Sequence, residues 1–225
     1  MQPIHNLARA IDHTLLKPDA TLRDIKRICG EAREHNFHGV CVNSSWVVEA
    51  RHLLAGSDVK VATVIGFPLG AADSDTKRFE TEAAIDNGAQ EIDVVINIGR
   101  LKDGDDSYVL RELRDVAEAA DERPVKVILE TCLLSREEKI RACQLAVDSG
   151  AQFVKTSTGF ASRGATVEDV KLLREIVGDK FGVKAAGGIR DALTALAMLE
   201  AGAVRLGTSA GVTILRGLPA PPAGD

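Results

Sequence analysis

The chain has 225 residues, 45% of them hydrophobic and 27% charged, with a formal net charge of -5. That suits one large α/β domain with a substantial core, and the acidic balance speaks against a nucleic-acid partner, which favours basic surfaces. Four scattered cysteines lack metal-like spacing, no stretch approaches the ~18 apolar residues of a membrane span, and the N-terminus carries no secretory signal, so a cytoplasmic protein with no membrane partner is expected.

A short helix around Ile4 to Ala10 leads into a first strand, Ile11 to Leu16. Further β-rich runs follow at Gly39 to Asn43, Val59 to Ile65, Glu91 to Asn97 and Val125 to Glu130. The last three are Phe153 to Thr156, Gly182 to Ala186 and Ala203 to Gly207. Helix starts between them are marked by segments resembling capping boxes, Thr21 to Asp24, Ser135 to Glu138 and Thr166 to Asp169. The helix from Arg136 to Ser149 is expected to bury Ile140, Cys143, Gln144 and Val147, which share one face at helical spacing.

Three helices end alike, at Asn87-Gly88-Ala89, Ser149-Gly150-Ala151 and Ala201-Gly202-Ala203. Each glycine suits a left-handed position after a helix, and a strand begins at once. Strand–helix alternation implies parallel strands joined by crossovers. Eight strands in this length predict a single (β/α)8 TIM barrel over residues 1–217 with a short N-terminal helix, an architecture needing roughly 200 to 250 residues. An open doubly wound sheet is the competing architecture, but GxGxxG after the first strand is missing. Residues 218–225 are expected to form a flexible proline-rich tail.

Two lysines occupy matching frames at strand ends, in Val154-Lys155-Thr156-Ser157 and Val183-Lys184-Ala185-Ala186. Lysine is costly to bury, so one inside a strand wants a reason. Two neighbouring cations each disfavour the other's charge, and a lysine made neutral can form a Schiff base with a carbonyl. The fifth residue beyond each repeat glycine is Asp93, Lys155 and Gly207, which places these three at equivalent positions facing the barrel interior. Lys60 and Lys126 also follow a valine, but each opens its run, and both read as solvated lysines at the N-terminal rim. Against the catalytic reading stands a plain one, in which Lys155 and Lys184 snorkel to loops and Asp93 is a salt-bridge partner.

Gly187-Gly188 and Gly207-Thr208-Ser209 each lead from a strand toward a helix, in the last two units. Barrels often bind phosphate there, on free backbone N–H groups, although a glycine pair can also be only a tight turn. The five histidines lack neighbours at ligand spacing, so no metal is implied. Cys41 reads as a core cysteine rather than a nucleophile, and Glu130 either orients site groups or caps a loop.

The ordered set Asp12 to Pro18, Val40 to Asn43, Val64 to Gly70, Glu91 to Asn97, Phe153 to Phe160, Lys184 to Arg190 and Arg205 to Ser209 closely resembles deoxyribose-phosphate aldolase, a class I (Schiff-base) family. The resemblance implies reversible cleavage of 2-deoxy-D-ribose 5-phosphate to D-glyceraldehyde 3-phosphate and acetaldehyde. It implies Lys155 as the Schiff-base nucleophile, Lys184 as the cation that tunes it, and Asp93 in proton transfer. It further implies Thr158, Gly159, Gly187, Gly188, Gly207 and Ser209 around the phosphate, with Asp12 in the network about Lys184. No cofactor is expected, because the protonated imine is the electron sink. The expected partners are the sugar phosphate and acetaldehyde, with a homodimer left open.

Two departures stand out. Ser209 is followed by Ala210 where members often carry a second serine, and the only tyrosine, Tyr108, is far from the C-terminal tail where some members place one. A different Schiff-base aldolase, a transaldolase-like barrel and a non-catalytic sugar-phosphate-binding barrel remain as alternatives.

Overall fold

A computed structural model describes residues 4–218, with side chains from Leu7 onward, so nearly all of the expected tail lies outside the described residues. A 3-10 helix, Ile4–Ala10, precedes β1 (Ile11–Leu15), α1 (Leu22–Glu34) and β2 (Gly39–Val42). The chain continues through α2 (Val47–Leu53), β3 (Lys60–Ile65), α3 (Ser74–Asp86) and β4 (Glu91–Val95). Two helices, α4 (Ile98–Lys102) and α5 (Asp106–Ala119), lead to β5 (Val125–Ile128), α6 (Arg136–Asp148) and β6 (Phe153–Lys155). The last units are α7 (Val167–Val177), β7 (Gly182–Ala186), α8 (Ala192–Glu200), β8 (Arg205–Thr208) and α9 (Gly211–Arg216). The eight strands form a closed parallel barrel in sequence order, β8 returning to β1 with Asp12 opposite Gly207. The TIM barrel expected from the alternation is therefore the observed fold.

Local chemistry explains the element ends. Thr21 and Ser135 each accept from the backbone N–H three residues on, while Asp24 and Glu138 reach back to the cap, closing both capping boxes. Thr166 accepts from the Asp169 N–H in the same way. The repeat glycines Gly88, Gly150 and Gly202 have φ of 100°, 86° and 110°, a region that L side chains rarely enter. The repeat thus marks three helix stops by backbone necessity.

Period-two alternation splits each strand between two environments. Val40, Val42, Val61, Ile92, Val94, Val127, Val154, Val183 and Leu206 face the helices and form the main core with them. Inside the barrel lies a small apolar cluster, Leu16, Cys41, Ala62 and Val64, with Phe67 packed against it. Val95, Ile128 and Ala186 share the inward frame, but charged side chains stand beside them, which is unusual for barrels filled mainly by branched apolar side chains. Among the described residues no helix is long and apolar enough to cross a membrane.

The buried face of α6 differs from the expected one. Ala142, Cys143, Leu145 and Ala146 are buried, while Val147 is exposed, as is Gln144. The alanines at 142 and 146 share the buried side with Cys143 and Leu145, and Gln144 and Val147 turn outward.

One buried pair fixes a loop near the site. Lys77 of α3 lies 2.8 Å from Glu112 of α5 and donates to the carbonyls of Gly70 and Val95, each at 2.8 Å. The loop after β3, which carries Phe67, is thereby tied to the end of β4.

Candidate active site

Alternation along β1, β4, β5, β6, β7 and β8 turns seven charged side chains into the barrel. Their register makes them neighbours: Asp93 is opposite Lys126, Lys155 opposite Lys184, and Lys184 opposite Arg205. Six of the seven close into a ring of alternating charge. Lys184 Nζ lies 2.5 Å from Asp12 and 2.7 Å from Asp93. Lys126 Nζ lies 2.6 Å from Asp93 and 2.8 Å from Glu91. Arg205 completes the circuit, 3.1 Å from Glu91 and 3.0 Å from Asp12.

Lys155 is the seventh group. Its Nζ donates at 2.9 Å to Asp93 Oδ2, the same oxygen that receives Lys184. Three carboxylates already balance three cations, and each ring cation spans two carboxylates. Lys155 touches one, and that one is shared. The ring is neutral without it.

The electrostatics follow from this arrangement. Burial opposes charge on Asp93, yet Lys126, Lys155 and Lys184 overcome it and hold the carboxyl well below the usual carboxylate range. Burial likewise opposes charge on Lys184, and Asp12 and Asp93 outweigh it, raising the ammonium above the ordinary lysine value. Lys126 is raised in the same way, its burial overcome by Asp93 and Glu91. A fixed cation therefore shares the Asp93 oxygen that Lys155 touches.

Lys126 corrects the sequence expectation. It is fully buried and bridges Asp93 and Glu91, whereas Lys60 is exposed as expected. The difference is depth: Lys60 pairs with Gly39 and lies two residues before Ala62, which is opposite Glu91, whereas Lys126 is opposite Asp93, further along the barrel. Glu91 and Arg205 were missed too, although Glu91 precedes Asp93 by two residues and so faces the same side. Cys41 is buried and its thiol is pushed up to about 11 chiefly by burial, in keeping with a core cysteine.

The expected phosphate residues gather at the C-terminal rim, where Gly159, Gly188 and Ser209 are exposed. Gly187 and Gly188 have φ of 85° and 80°, and a Cβ on Gly187 would lie 2.9 Å from Gly164 Cα and 3.3 Å from Gly159 Cα. Only glycine permits these two loops to touch. Gly207 lies deeper, where a Cβ would come within 3.2 Å of Lys184 Cε, so its bareness makes room for that lysine. Thr158 is buried, its N–H and hydroxyl both donating to Glu130, and it accepts from the Phe160 N–H at 3.1 Å. Glu130 therefore holds the loop after β6 through Thr158. Tyr108 lies on α5 and accepts from the Ser74 N–H.

Two further features lie beside Lys155 and at the barrel mouth. Ser157, in frame above Lys155, is buried with a hydroxyl that has no hydrogen-bond partner. Phe67 and Phe160 meet edge to face at 5.3 Å, bridging the loops after β3 and β6 at the barrel mouth. At the opposite end His38 lies 2.8 Å from Glu91, and the donor atoms of Asp12, His38 and Glu91 gather within 4.8 Å. A metal ion there would face Arg205, Lys126 and Lys184, which already occupy those carboxylates.

A family model described as DeoC/LacD family aldolase matches residues 7–218. The chain is 61% identical over 211 residues to the deoxyribose-phosphate aldolase of Alkaliphilus oremlandii, covering 93% of this chain and 95% of the relative. Among solved structures, a putative deoxyribose-phosphate aldolase from Coccidioides immitis superposes with a TM-score of 0.93 at 41% identity, covering 95% of this chain and 86% of that one. The deoxyribose phosphate aldolase from Aeropyrum pernix, described as having a unique tetrameric structure, gives 0.88 at 34% identity, covering 94% and 90%.

Proposed function

The chain belongs to the DeoC/LacD family of aldolases, and from that premise we propose that Lys155, Asp93 and Lys184 carry out its chemistry. The reaction is reversible cleavage of 2-deoxy-D-ribose 5-phosphate to D-glyceraldehyde 3-phosphate and acetaldehyde. The single observation that carries the assignment is the closed neutral ring with Lys155 appended at the shared Asp93 oxygen. Taking Lys155 away leaves the ring closed and neutral, whereas taking Lys184 away breaks the link between Asp12 and Asp93.

Lys155 Nζ adds to C1 of the open-chain sugar, and loss of water gives the protonated imine. A base removes the C3 hydroxyl proton, the C2–C3 bond breaks, and its electron pair flows to the iminium to give an enamine. D-glyceraldehyde 3-phosphate departs. Asp93 and Lys184, acting through water, return a proton to C2, and hydrolysis of the second imine frees acetaldehyde and Lys155. Gly159, Gly187, Gly188, Gly207 and Ser209 would hold the phosphate with backbone N–H groups and the one serine hydroxyl, while Thr158, fixed by Glu130, would shape that loop. The nucleophile needs no metal, so a chelator should leave the release of both products in equal amounts unchanged. Absence of products from the chelated protein, with activity restored by a divalent cation, would contradict the reading.

The unpartnered Ser157 hydroxyl is placed to bind a substrate oxygen. Ser157→Ala should raise KM by about 3- to 10-fold, the worth of one neutral hydrogen bond, without lowering the melting temperature. A lower melting temperature with unchanged KM would give the residue a structural role instead.

The proposal extends to action in the cytoplasm, which the four free cysteines suit. It also extends to self-association as a homodimer, which sedimentation would test.

A further inference from the structure

The ring contains two members that lie below the proposed chemistry and do not touch Lys155. Glu91 stands two residues before Asp93 on β4, one layer nearer the N-terminal end, and Arg205 opens β8. Glu91 joins Lys126 to Arg205, and Arg205 joins Glu91 to Asp12. We propose that Glu91 and Arg205 are positioning residues that set the pH at which Lys155 reacts, by closing the ring and fixing its charge count. This rests on the assignment of Lys155 as the nucleophile.

Charge is costly in the barrel interior, so an unbalanced charge there is felt by every ionisable neighbour. With Asp12, Glu91 and Asp93 ionised and Lys126, Lys184 and Arg205 charged, the ring sums to zero. Arginine cannot be deprotonated, so Arg205 is a permanent member of the sum. Lys126 and Lys184 each lie between two carboxylates and keep their protons. Lys155 is the one cation of the array that touches a single carboxylate oxygen, and that oxygen is shared with Lys184. The groups facing this array are Asp12 from β1, Cys41 from β2, Glu91 and Asp93 from β4, Lys126 from β5, Lys184 from β7 and Arg205 from β8. His38 reaches Glu91 from the residue before β2, and Glu130 is held by Thr158 after β6. The β3 side chains turned inward, Ala62 and Val64, carry no charge.

The sign of each perturbation is fixed by the count. Glu91→Gln leaves two carboxylates against three cations, a surplus of positive charge that disfavours a further proton on Lys155. The acid limb of its reaction should then move to lower pH. Arg205→Met leaves three carboxylates against two cations, so a proton on Lys155 restores neutrality. The acid limb should then move to higher pH. The expected size is about one pH unit in each direction, given a charge several ångströms away at an effective dielectric constant near 20. Removing both groups in Glu91→Gln/Arg205→Met should bring the limb back toward that of the native chain.

The readout is the rate at which acetaldehyde forms a borohydride-trappable adduct, followed against pH. General damage to the fold would slow the reaction in both single variants without moving the limbs apart. Opposite displacements, cancelling in the double variant, support the inference. Displacements in the same direction, or none, overturn it. Should the single variants fail to fold, His38 offers a milder handle, because it is partly exposed and 2.8 Å from Glu91. His38→Arg adds a fixed cation at the end of the ring and should lower the limb, and an unmoved limb would overturn the inference. An absent adduct in the native chain would remove the aldolase reading itself. An adduct with unmoved limbs would remove only the role of Glu91 and Arg205.

Discussion

Lys155→Ala is expected to reduce turnover of 2-deoxy-D-ribose 5-phosphate by roughly four orders of magnitude or more, the scale on which loss of a covalent nucleophile is felt. Lys60→Ala should leave it within about twofold, as expected of an exposed residue outside the site. The two lysines share a Val-Lys frame, so the contrast tests position rather than residue type. Lys60 opens β3 at the exposed end of the barrel, and Lys155 closes β6 inside it. The alanine variant should also stay folded, because the six-membered ring remains closed and neutral when Lys155 is removed. Steady-state kinetics with a thermal melt on both variants provide the check. Equal losses of turnover, or a Lys155→Ala chain that unfolds, would contradict the placement.

The second large effect falls on stability. Lys77→Met should lower the free energy of unfolding by about 3 to 5 kcal/mol, the usual cost of removing one partner from a buried ion pair. Lys77 and Glu112 are both fully buried and 2.8 Å apart, and the same ammonium holds the carbonyls of Gly70 and Val95. Burial lowers the Lys77 ammonium and raises the Glu112 carboxyl, so both charges persist because they are paired. Pairing Lys77→Met with Glu112→Leu should recover part of the loss, since no lone carboxylate is then buried. Urea denaturation of the single and double variants measures this. A loss under about 1 kcal/mol in the single variant would mean the pair contributes little.

Much of the barrel was legible because its backbone constraints are local. The glycines at 88, 150 and 202 end helices in a conformation few other residues adopt, and the capping residues Thr21 and Ser135 start them. The face of α6 was not legible, because which side of a helix is buried depends on how closely neighbouring helices and strands approach it. The site divides in the same way. Asp93, Lys155 and Gly207 could be aligned by the repeat, since each lies five residues beyond its glycine. Lys126 could not, because no repeat glycine precedes β5, and how deep a lysine near a strand start sits is set by how that strand pairs with its neighbours.

The asymmetry between Lys155 and Lys184 is the clearest gain from three dimensions. In sequence their frames match, and family resemblance was needed to tell them apart. In space Lys184 is held between Asp12 and Asp93, while Lys155 shares one oxygen with it. The ring itself links residues from β1 to β8, up to 193 positions apart in the chain, a closure that no local pattern encodes.

The central claim is that Lys155, and no other lysine, forms the imine. Incubating the native chain with acetaldehyde, reducing with borohydride and mapping the peptides by mass spectrometry tests it directly. The account predicts one N-ethyl group, on Lys155, and none on Lys184, Lys126 or Lys60. An adduct on Lys184, or no adduct on any lysine, would contradict it.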